Sequence, residues 1–398
     1  MTAFTPEDVA RARAETPGCE KVVHLNNAGA ALPPRCVTDT VIDHLRTEAL
    51  IGGYEAADAA APRLAGVKES IATLLNATAA DIGLTDSASR AWQAVFYAIP
   101  FRPGDRILTC RSEYTANIIA LLQVAARTGA VVEVVDDDEN GQIDLDDLRS
   151  RLDERVRLIA LTHVPAHGGL VNPAEEVGRI AREAGVTYLL DACQSAGQMP
   201  LDVERLGCDA LTVAGRKFLR GPRGTGFLYV HPRLRQAVEP AMLDLHSAAW
   251  TGPDSYEVHP DAQRFEVWER NVAAVLGLGA AVDYALSWGI TAIEERVSRL
   301  AEHLREELSA VPGVTVCDRG ARRCGIVTFT VDGVQATRVK ASLSEQGINT
   351  TVSYAANARY DLPVRGLGDL VRASVHYYNT EEELGRLTEA VAALARTA

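Results

Sequence analysis

The middle of the chain alternates continuously apolar runs with amphipathic stretches, and this alternation restricts the possible folds more than any other feature. VRLIAL at 156–161 is apolar apart from Arg157 near its start, as expected for a strand buried on both faces. The stretch at 172–185 has an apolar stripe of helical spacing, with Asn172 as its expected N-cap and Gly185 as its end. VTYLLD at 186–191 is again strand-like. Two buried strands joined by a helix form a right-handed parallel unit, so we predict an open α/β sheet with helices on both faces.

Similar units precede this one, whereas the sequence changes character near residue 282. DRILTC at 105–110, a helix near 115–128 and AVVEVV at 130–135 extend the predicted sheet. Beyond residue 282, helix and strand signals follow one another in an order typical of a smaller α+β domain. The predicted organisation is an N-terminal segment at 1–25 that associates with the small domain, a large domain at 26–281 and a small C-terminal domain at 282–398.

Charge and composition exclude several kinds of partner. The formal net charge of -13 disfavours nucleic acid, whose phosphates require a basic surface. No apolar run reaches the ~18 residues of a membrane span, and the first residues lack the apolar core of a signal peptide. The cysteines are scattered, odd in number and without a CxxC pair. These features predict reduced thiols, no membrane association and a cytoplasmic location.

One lysine and one aspartate are expected to meet at the same edge of the predicted sheet. Asp191 ends VTYLLD, and Lys217 follows the strand-like ALTVAG. In open α/β sheets, ligands bind outside the carboxyl ends of the strands, where both residues should lie. An amine and a carboxylate there suit pyridoxal 5'-phosphate, because a lysine forms its Schiff base and an aspartate keeps its pyridine nitrogen protonated. LTDSASRAWQAV at 84–95 opens a helix whose N-terminus is a candidate phosphate site.

Taken singly, these residues have simpler interpretations. A strand-end aspartate is more often a helix cap, and a lone lysine is usually a solvated charge. Two rival motifs are rejected. His163 and His167 have a metal-ligand spacing, but Pro165 between them does not suit a helix, so we expect no metal. GPRGTG is rich in glycine but lacks the GK[ST] ending of a nucleotide-binding loop.

Longer segments around these residues carry a resemblance to a known family. LLDACQSAGQMPLDVERLGCDALTVAGRKFLRGPRGTGFLYV resembles the core of class V aminotransferases, the fold-type I group that contains the cysteine desulfurases. HLNNAGA, SEYTANI, THVPAHGGLVNP and VRASVHYYNTEEEL match the same family in the same order. The resemblance implies a fold-type I pyridoxal phosphate-dependent transferase, with a large, mostly parallel sheet domain and a smaller α+β C-terminal domain. It also implies a small-molecule amino-acid substrate and a homodimer with shared active sites.

The resemblance implies cofactor contacts at eight positions. Lys217 matches the lysine that forms the Schiff base and moves the proton, and Asp191 matches the partner of the pyridine nitrogen. The other expected contacts are Gln194 at the ring oxygen, the backbone of Ala88 and the side chain of Ser89 at the phosphate, Arg216 also at the phosphate, Tyr114 stacked on the ring, and His167 as a substitute for a family asparagine that is Ala166 here.

Substrate contacts are implied at three further positions. Arg372 matches the arginine that binds the substrate α-carboxylate, and the alternation in VRASVHYY puts it off the apolar face of its strand. Asn27 in HLNNAGA and Tyr54 in GGYEAADAAAP are the other two. The segment around Tyr54 is similar to one in a branch of the family that includes the C–S lyases of ergothioneine and lincosamide pathways.

The reaction is predicted from a missing cysteine. In the family, desulfurases carry a nucleophilic cysteine on a loop just before the arginine, and the corresponding residues 348–370 contain none. Cys324 lies upstream at a strand start and is expected to be a buried structural thiol. We therefore predict a C–S lyase that cleaves a cysteine S-conjugate to a thiol, pyruvate and ammonia. The alternatives are an aminotransferase, a decarboxylating oxidative deaminase or an epimerase, with a desulfurase or a non-catalytic scaffold ranked below them.

Overall fold

A seven-stranded sheet forms the centre of the computed structural model, which describes residues 4–396. The strands of this sheet and of the smaller sheets are numbered together along the chain. The strands are β1 (Val23–His24), β2 (Ile82–Thr85), β3 (Arg106–Cys110), β4 (Val131–Val135), β5 (Val156–Thr162), β6 (Thr187–Asp191), β7 (Ala210–Ala214), β8 (Gly226–Val230), β9 (Ala248–Gly252), β10 (Ser255–Val258), β11 (Val314–Val316), β12 (Ile326–Val331), β13 (Ile348–Asn349), β14 (Thr351–Ser353) and β15 (Leu370–Ser374).

Helices cover both faces of this seven-stranded sheet, and other helices surround a second, smaller sheet. They are α1 (Pro6–Ala14), α2 (Asn27–Ala30), α3 (Arg35–Ile51), α4 (Gly53–Ala59), α5 (Ala61–Leu75), α6 (Ala88–Phe96), α7 (Thr115–Thr128), α8 (Leu145–Ser150), α9 (Ala174–Ala184), α10 (Val203–Leu206), α11 (Pro232–Ala237), α12 (Val272–Trp288), α13 (Ile290–Ser309), α14 (Ala336–Glu345) and α15 (Glu381–Ala395). Single 3-10 turns lie at Pro17–Glu20, Ala79–Asp81, Ala262–Phe265 and Ala355–Asn357.

The central sheet has the strand order β2-β8-β7-β6-β5-β3-β4. Strands β3 to β7 are parallel to one another, whereas β8 runs antiparallel to both β2 and β7. This confirms the predicted mostly parallel α/β sheet. Because parallel strands end at one edge, the residues that follow β3, β5, β6 and β7 are brought to the same side of the molecule.

Alternate residues of the central strands enter two separate apolar clusters, one on each face. Leu108 and Ile159 pack in the cluster that also contains residues of α5, α9 and α12. Their neighbours Ile107 and Leu158 pack in the cluster on the other face, with residues of α6 and α7. A strand that is buried on both faces is apolar on consecutive positions rather than alternate ones, which is the pattern at 158–161.

The predicted helix at 172–185 forms, but its N-cap differs from the prediction. Helix α9 begins at Ala174, and Pro173 occupies the N-cap position without a side-chain cap. The Asn172 side chain is buried, where its Nδ2 donates to the Thr162 carbonyl (2.8 Å) and its Oδ1 accepts from the Ile143 amide (3.0 Å). The Asn172 side chain, which the local sequence favoured as a helix cap, is therefore used in tertiary hydrogen bonds instead.

The smaller sheet is antiparallel, in the order β11-β12-β15-β14, and α13, α14 and α15 pack around it. Strand β1 pairs in parallel with β13, which joins the N-terminal segment to this part of the chain. The predicted boundary at 281–282 falls inside α12, a helix that packs on α3 and α5 and ends at Gly289. Residues 1–3 and 397–398 of the predicted terminal segments lie outside the described residues.

Two further predictions concern cysteines and membrane spans. All seven cysteines lie within residues 4–396 and are free thiols, as their scattered spacing predicted. In this same range no single helix is long and apolar enough to cross a membrane, although α12 and α13, bent by 80°, pass together on length and composition alone.

Candidate active site

Lys217 and Asp191 lie where the sequence predicted, beyond the carboxyl ends of adjacent parallel strands. Asp191 is the last residue of β6, and Lys217 follows β7 by three positions. The chain has four lysines, and Lys217 is the only buried one, with 8% of its surface exposed. The Asp191 carboxylate accepts a hydrogen bond from the Cys193 amide (2.9 Å) and another from Asn117 Nδ2 (3.0 Å).

The electrostatic surroundings of Lys217 favour a neutral amine. Burial lowers the pKa of Lys217, and the nearby Arg216 and Arg372 guanidiniums lower it further, against the opposing effects of Cys193 and Asp191. A buried lysine of lowered pKa can act as a nucleophile and as a base near neutral pH.

Tyr114 stands at the mouth of the site. Its ring centroid lies 5.8 Å from Lys217 Nζ, and the side chain is 38% exposed. The residue precedes α7, and its backbone amide donates to Glu113 Oε1 (2.8 Å) and Thr162 Oγ1 (3.2 Å). The backbone of this aromatic residue is thereby held by groups at the ends of β3 and β5, beside the lysine that it faces.

The N-terminus of α6 lies beside β8, next to the strand that leads to Lys217. Ala88 and Ser89 are the first two helical residues, and the Ser87 side chain caps the helix by accepting from the Arg90 amide (3.3 Å). A Cβ on Gly226 of β8 would lie 2.8 Å from the Ala88 nitrogen, so only glycine lets the strand pass so close to this turn. The amides of such a turn are a suitable site for a phosphate.

Gln194 presents an unused acceptor. Its Nε2 donates to the Ala28 carbonyl (3.0 Å), while its Oε1 is buried and has no hydrogen-bond partner among residues 4–396. A buried amide oxygen without a donor is costly, so this atom fits a ligand that brings a hydroxyl. The ring hydroxyl of pyridoxal phosphate is such a group, and together with Lys217 and Asp191 the residues present fit this cofactor.

Arg372 likewise has donor capacity to spare. It lies in β15 with 9% of its surface exposed, and it contacts the Ala166 carbonyl and Asn26 Oδ1 (3.4 Å). Its Nε is buried and has no partner in the described part of the chain. Burial, helped by the charge of Arg216, lowers the pKa of Arg372 to about 10, which still leaves it cationic at neutral pH. A buried cation with a free donor fits a substrate carboxylate.

Of the other two residues predicted to contact the substrate, one is buried and one is exposed. Asn27 is fully buried, its Nδ2 donates to the carbonyls of His24 (3.2 Å) and Ser374 (2.7 Å), and its Oδ1 accepts from Tyr378. This geometry does not support a substrate contact for Asn27, because its side chain is saturated inside the fold. The preceding residue, Asn26, is the asparagine that meets Arg372. Tyr54 is 73% exposed on α4.

Arg216 and His167 are tied to protein groups in the structure. One Arg216 Nη atom donates to the Gly29 carbonyl, in the short helix α2. His167 Nε2 lies 3.1 Å from an Asp361 oxygen, which connects the loop after β5 to the segment before β15. The hydrogen bond from His167 and the charges of His167 and Arg365 outweigh burial and lower the pKa of Asp361. Contacts of Arg216 and His167 with the cofactor stay predictions.

Sequence reasoning missed the residues that support Asp191 from behind. Glu113 and Asn117 are buried, and Asn117 Nδ2 reaches both Glu113 Oε1 (2.9 Å) and Asp191. Burial raises the pKa of Glu113, and the nearby Asp191 charge adds to this effect. Both residues belong to SEYTANI, in which a site role was predicted for the tyrosine alone. Glu113 lies just before α7 and Asn117 lies in its first turn, so the available signal was two polar side chains four residues apart at a predicted helix start.

Comparisons with known proteins identify the family of this chain. The family model for class V aminotransferases matches residues 23–387. A protein named "Probable cysteine desulfurase" from Methanothermobacter thermautotrophicus is 31% identical over 401 residues, covering 99% of each chain. The apo structure of a cysteine desulfurase from Thermococcus onnurineus has a TM-score of 0.91 at 25% identity, covering 100% of both chains. A mutant of C-DES with glycine covalently linked to the PLP cofactor has a TM-score of 0.86 at 24% identity, covering 96% of this chain and 98% of that one, and shows the same fold.

Proposed function

This chain belongs to the class V aminotransferase family, and from that premise we propose that it is a C–S lyase, which cleaves a cysteine S-conjugate into a thiol, pyruvate and ammonia. Its cofactor is pyridoxal phosphate. The observation that carries the proposal is the composition of residues 348–370, the segment in which the family's desulfurases have their nucleophilic cysteine. This segment borders the site in the structure and contains no cysteine.

Contacts with the large domain hold this segment near Tyr114. The hydroxyl of Thr115, the residue after Tyr114, donates to the Asn357 carbonyl, and His167 meets Asp361 at 3.1 Å. Ser353 and the exposed Asn357 are among the side chains that the segment offers there. Neither a hydroxyl nor an amide accepts sulfur from a substrate as a thiolate does, so transfer of sulfur to this segment is chemically disfavoured.

Two buried cysteines lie outside this segment. Cys324 is buried just before β12, and burial raises the pKa of its thiol to about 11. Cys193 lies close enough to Lys217 for each to affect the pKa of the other, but burial and the Asp191 charge raise the pKa of Cys193 well above its ordinary value. Thiols of raised pKa contain little thiolate at neutral pH and are poor nucleophiles.

A lyase reaction needs only groups that this site contains. When bound, pyridoxal phosphate would supply the electron sink that makes the Cα proton acidic and allows a thiolate to leave from Cβ. Lys217, whose amine is buried and of lowered pKa, takes the Cα proton. Arg372 holds the α-carboxylate and so fixes which bond at Cα faces the lysine. One water is consumed for each thiol, pyruvate and ammonia released.

Product analysis tests the proposal. An S-alkyl or S-glycosyl cysteine should release its thiol and pyruvate in equal amounts, since both come from the same elimination. Free L-cysteine should leave no persulfide on the protein. Cys324→Ser should retain near-wild-type rates, because its thiol has no part in the reaction, and Cys193→Ala tests the thiol nearest Lys217 for any bound sulfur.

Other products would assign a different reaction. Alanine, with sulfur left on the protein, would identify a desulfurase, and loss of that sulfur in Cys193→Ala or Cys324→Ser would identify its carrier. Loss of CO2 with an aldehyde formed and sulfur retained would identify the decarboxylating oxidative reaction. Formation of a keto acid that keeps the sulfur would identify a transaminase.

We also propose that the protein acts as a homodimer through the face formed by α3 and α4. This face exposes large apolar side chains, among them Leu50 (84% exposed), Ile51 (51%) and Tyr54 (73%). Beside it, the lining of a cavity of ≈ 390 Å³ includes Val37, Val41 and Ile42 of α3, Pro222, and Arg216, the neighbour of Lys217. A second copy that covers this face would close the site next to the lysine and give Tyr54 a neighbour, which supports shared active sites.

Sedimentation equilibrium tests the dimer. The wild-type protein should have twice the chain mass of 42.7 kDa. Leu50→Glu should shift the mass toward the monomer, because it puts a charge in an apolar contact. The control is Val131→Glu, which puts the same charge at a half-exposed apolar position on the edge strand β4. A monomeric wild-type protein, or no change in Leu50→Glu, would contradict the proposed interface.

A further inference from the structure

Behind Asp191, a buried amide connects two carboxyl groups that lie close together. Asn117, in the first turn of α7, is 2% exposed. Its Nδ2 donates to Asp191 Oδ2 (3.0 Å) and to Glu113 Oε1 (2.9 Å). The two hydrogens of one planar amide nitrogen are thus directed at two different carboxyl groups. We propose that Asn117, anchored by Glu113, is a positioning residue that fixes the orientation of the Asp191 carboxylate; this inference rests on the predicted role of Asp191 at the cofactor ring nitrogen.

Glu113 is a fixed anchor because several elements donate to it. Its Oε1 accepts from the Tyr114 amide (2.8 Å) and from the Thr162 hydroxyl, and its Oε2 accepts from the Thr109 hydroxyl (3.2 Å). These donors come from β3, from the start of α7 and from the end of β5. Because Glu113 is held by groups of two strands, the Asn117 amide that it anchors is held in place as well. The position of the Asp191 carboxylate is therefore set by these strands and not by the Asn117 side chain alone.

The same contacts satisfy both oxygens of Asp191. Each oxygen has a donor, Cys193 N on one and Asn117 Nδ2 on the other. An amide that donates to both carboxyl groups, those of Asp191 and Glu113, satisfies each of them and keeps them from facing one another directly. Removing the amide would leave a buried acceptor on Asp191 without its donor.

The spectrum of the bound cofactor tests the proposal without relying on activity. In Asn117→Leu, which keeps approximate size but has no donor, the pH dependence of the cofactor's absorbance should shift, because a misoriented Asp191 carboxylate would hold the ring proton less firmly. We expect kcat to fall by about 10- to 100-fold, as for the loss of a group that orients a catalytic side chain, with KM nearly unchanged. Glu113→Gln, which exchanges an acceptor oxygen for a donor, should shift the spectrum in the same direction.

A matched control separates positioning from loss of a buried amide. Asn379 is as buried as Asn117 and its side chain makes more hydrogen bonds, but it lies beyond β15, where it contacts His24, His376 and Glu383. Asn379→Leu should lower the melting temperature without moving the absorbance profile. Should Asn117→Leu fail to fold, Glu113→Gln provides the same measurement with a smaller change in shape.

Asp191→Asn distinguishes failure of this inference from failure of the assigned role of Asp191. If Asp191→Asn leaves the absorbance profile unchanged, the role of Asp191 is wrong and the inference fails with it. If Asp191→Asn shifts the profile but folded Asn117→Leu and Glu113→Gln do not, the positioning role of Asn117 is overturned. The expected result is a shift in each single variant and no additional shift when Asn117→Leu is combined with Asp191→Asn, because the amide acts through that carboxylate.

Discussion

Replacing Lys217 with alanine should abolish turnover and remove the covalent link between cofactor and protein. The chain has three other lysines, none of them buried, so no other amine occupies a comparable position. A missing catalytic base alone lowers rates by about 10²- to 10⁴-fold, and the loss of the nucleophile adds to this effect. Turnover should be measured together with the visible absorbance of the purified protein, since the cofactor can still bind through its phosphate when the lysine is absent.

Reduction with borohydride followed by peptide mapping locates the linked lysine directly. The reduced cofactor should be attached to the peptide that contains Lys217 in the wild-type protein and to no peptide in Lys217→Ala. Lys340→Ala, at an exposed position of α14, is the control and should behave as the wild type. A labelled Lys21, Lys68 or Lys340 in the Lys217 variant would show that the assignment is wrong.

The lowered pKa of Lys217 also predicts how activity depends on pH. Burial and the charges of Arg216 and Arg372 favour the neutral amine, which is the form that accepts a proton. The rate should therefore fall as pH decreases and the amine becomes protonated. Replacing Arg216 with a neutral residue should move this fall to a higher pH, because one of the charges that lower the pKa of Lys217 is then lost.

Replacing Arg372 should impair substrate binding strongly while leaving cofactor binding intact. The guanidinium is buried, and its Nε lacks a partner within residues 4–396. Loss of a charged contact to a carboxylate at such a site costs about 2–4 kcal/mol, which corresponds to a decrease in kcat/KM of roughly 30- to 1000-fold. In Arg372→Ala we expect this decrease mainly as a higher KM for α-amino acids.

Arg372→Lys tests geometry as well as charge. An ammonium keeps the positive charge but cannot donate two parallel hydrogen bonds, so this variant should also be poor. Arg338→Ala, an exposed position on α14, serves as the control and should leave KM unchanged. Wild-type KM values in both Arg372 variants would mean that another group holds the substrate carboxylate.

Much of the fold and the centre of the site follow from local patterns. Apolar runs such as 156–161 can be buried only as central strands, and the helix at 174–184 supplies the crossover that parallel strands require. Once the strands are parallel, the ends of β6 and β7 must share an edge. The proximity of Asp191 and Lys217 is thus a consequence of sequence position, and the missing cysteine in 348–370 can be read directly from the sequence.

Packing between distant segments decided the rest. Asn26 and Asn27 are neighbours in the chain, but only the tertiary structure turns one toward Arg372 and buries the other beneath Tyr378. Asn117 meets Asp191 across 74 residues, and Cys193 proves to be the thiol beside Lys217. Hydrophobic periodicity specifies which face of an element is buried. Which polar side chains then meet depends on the register and orientation of elements packed against each other, and no local pattern encodes these distances.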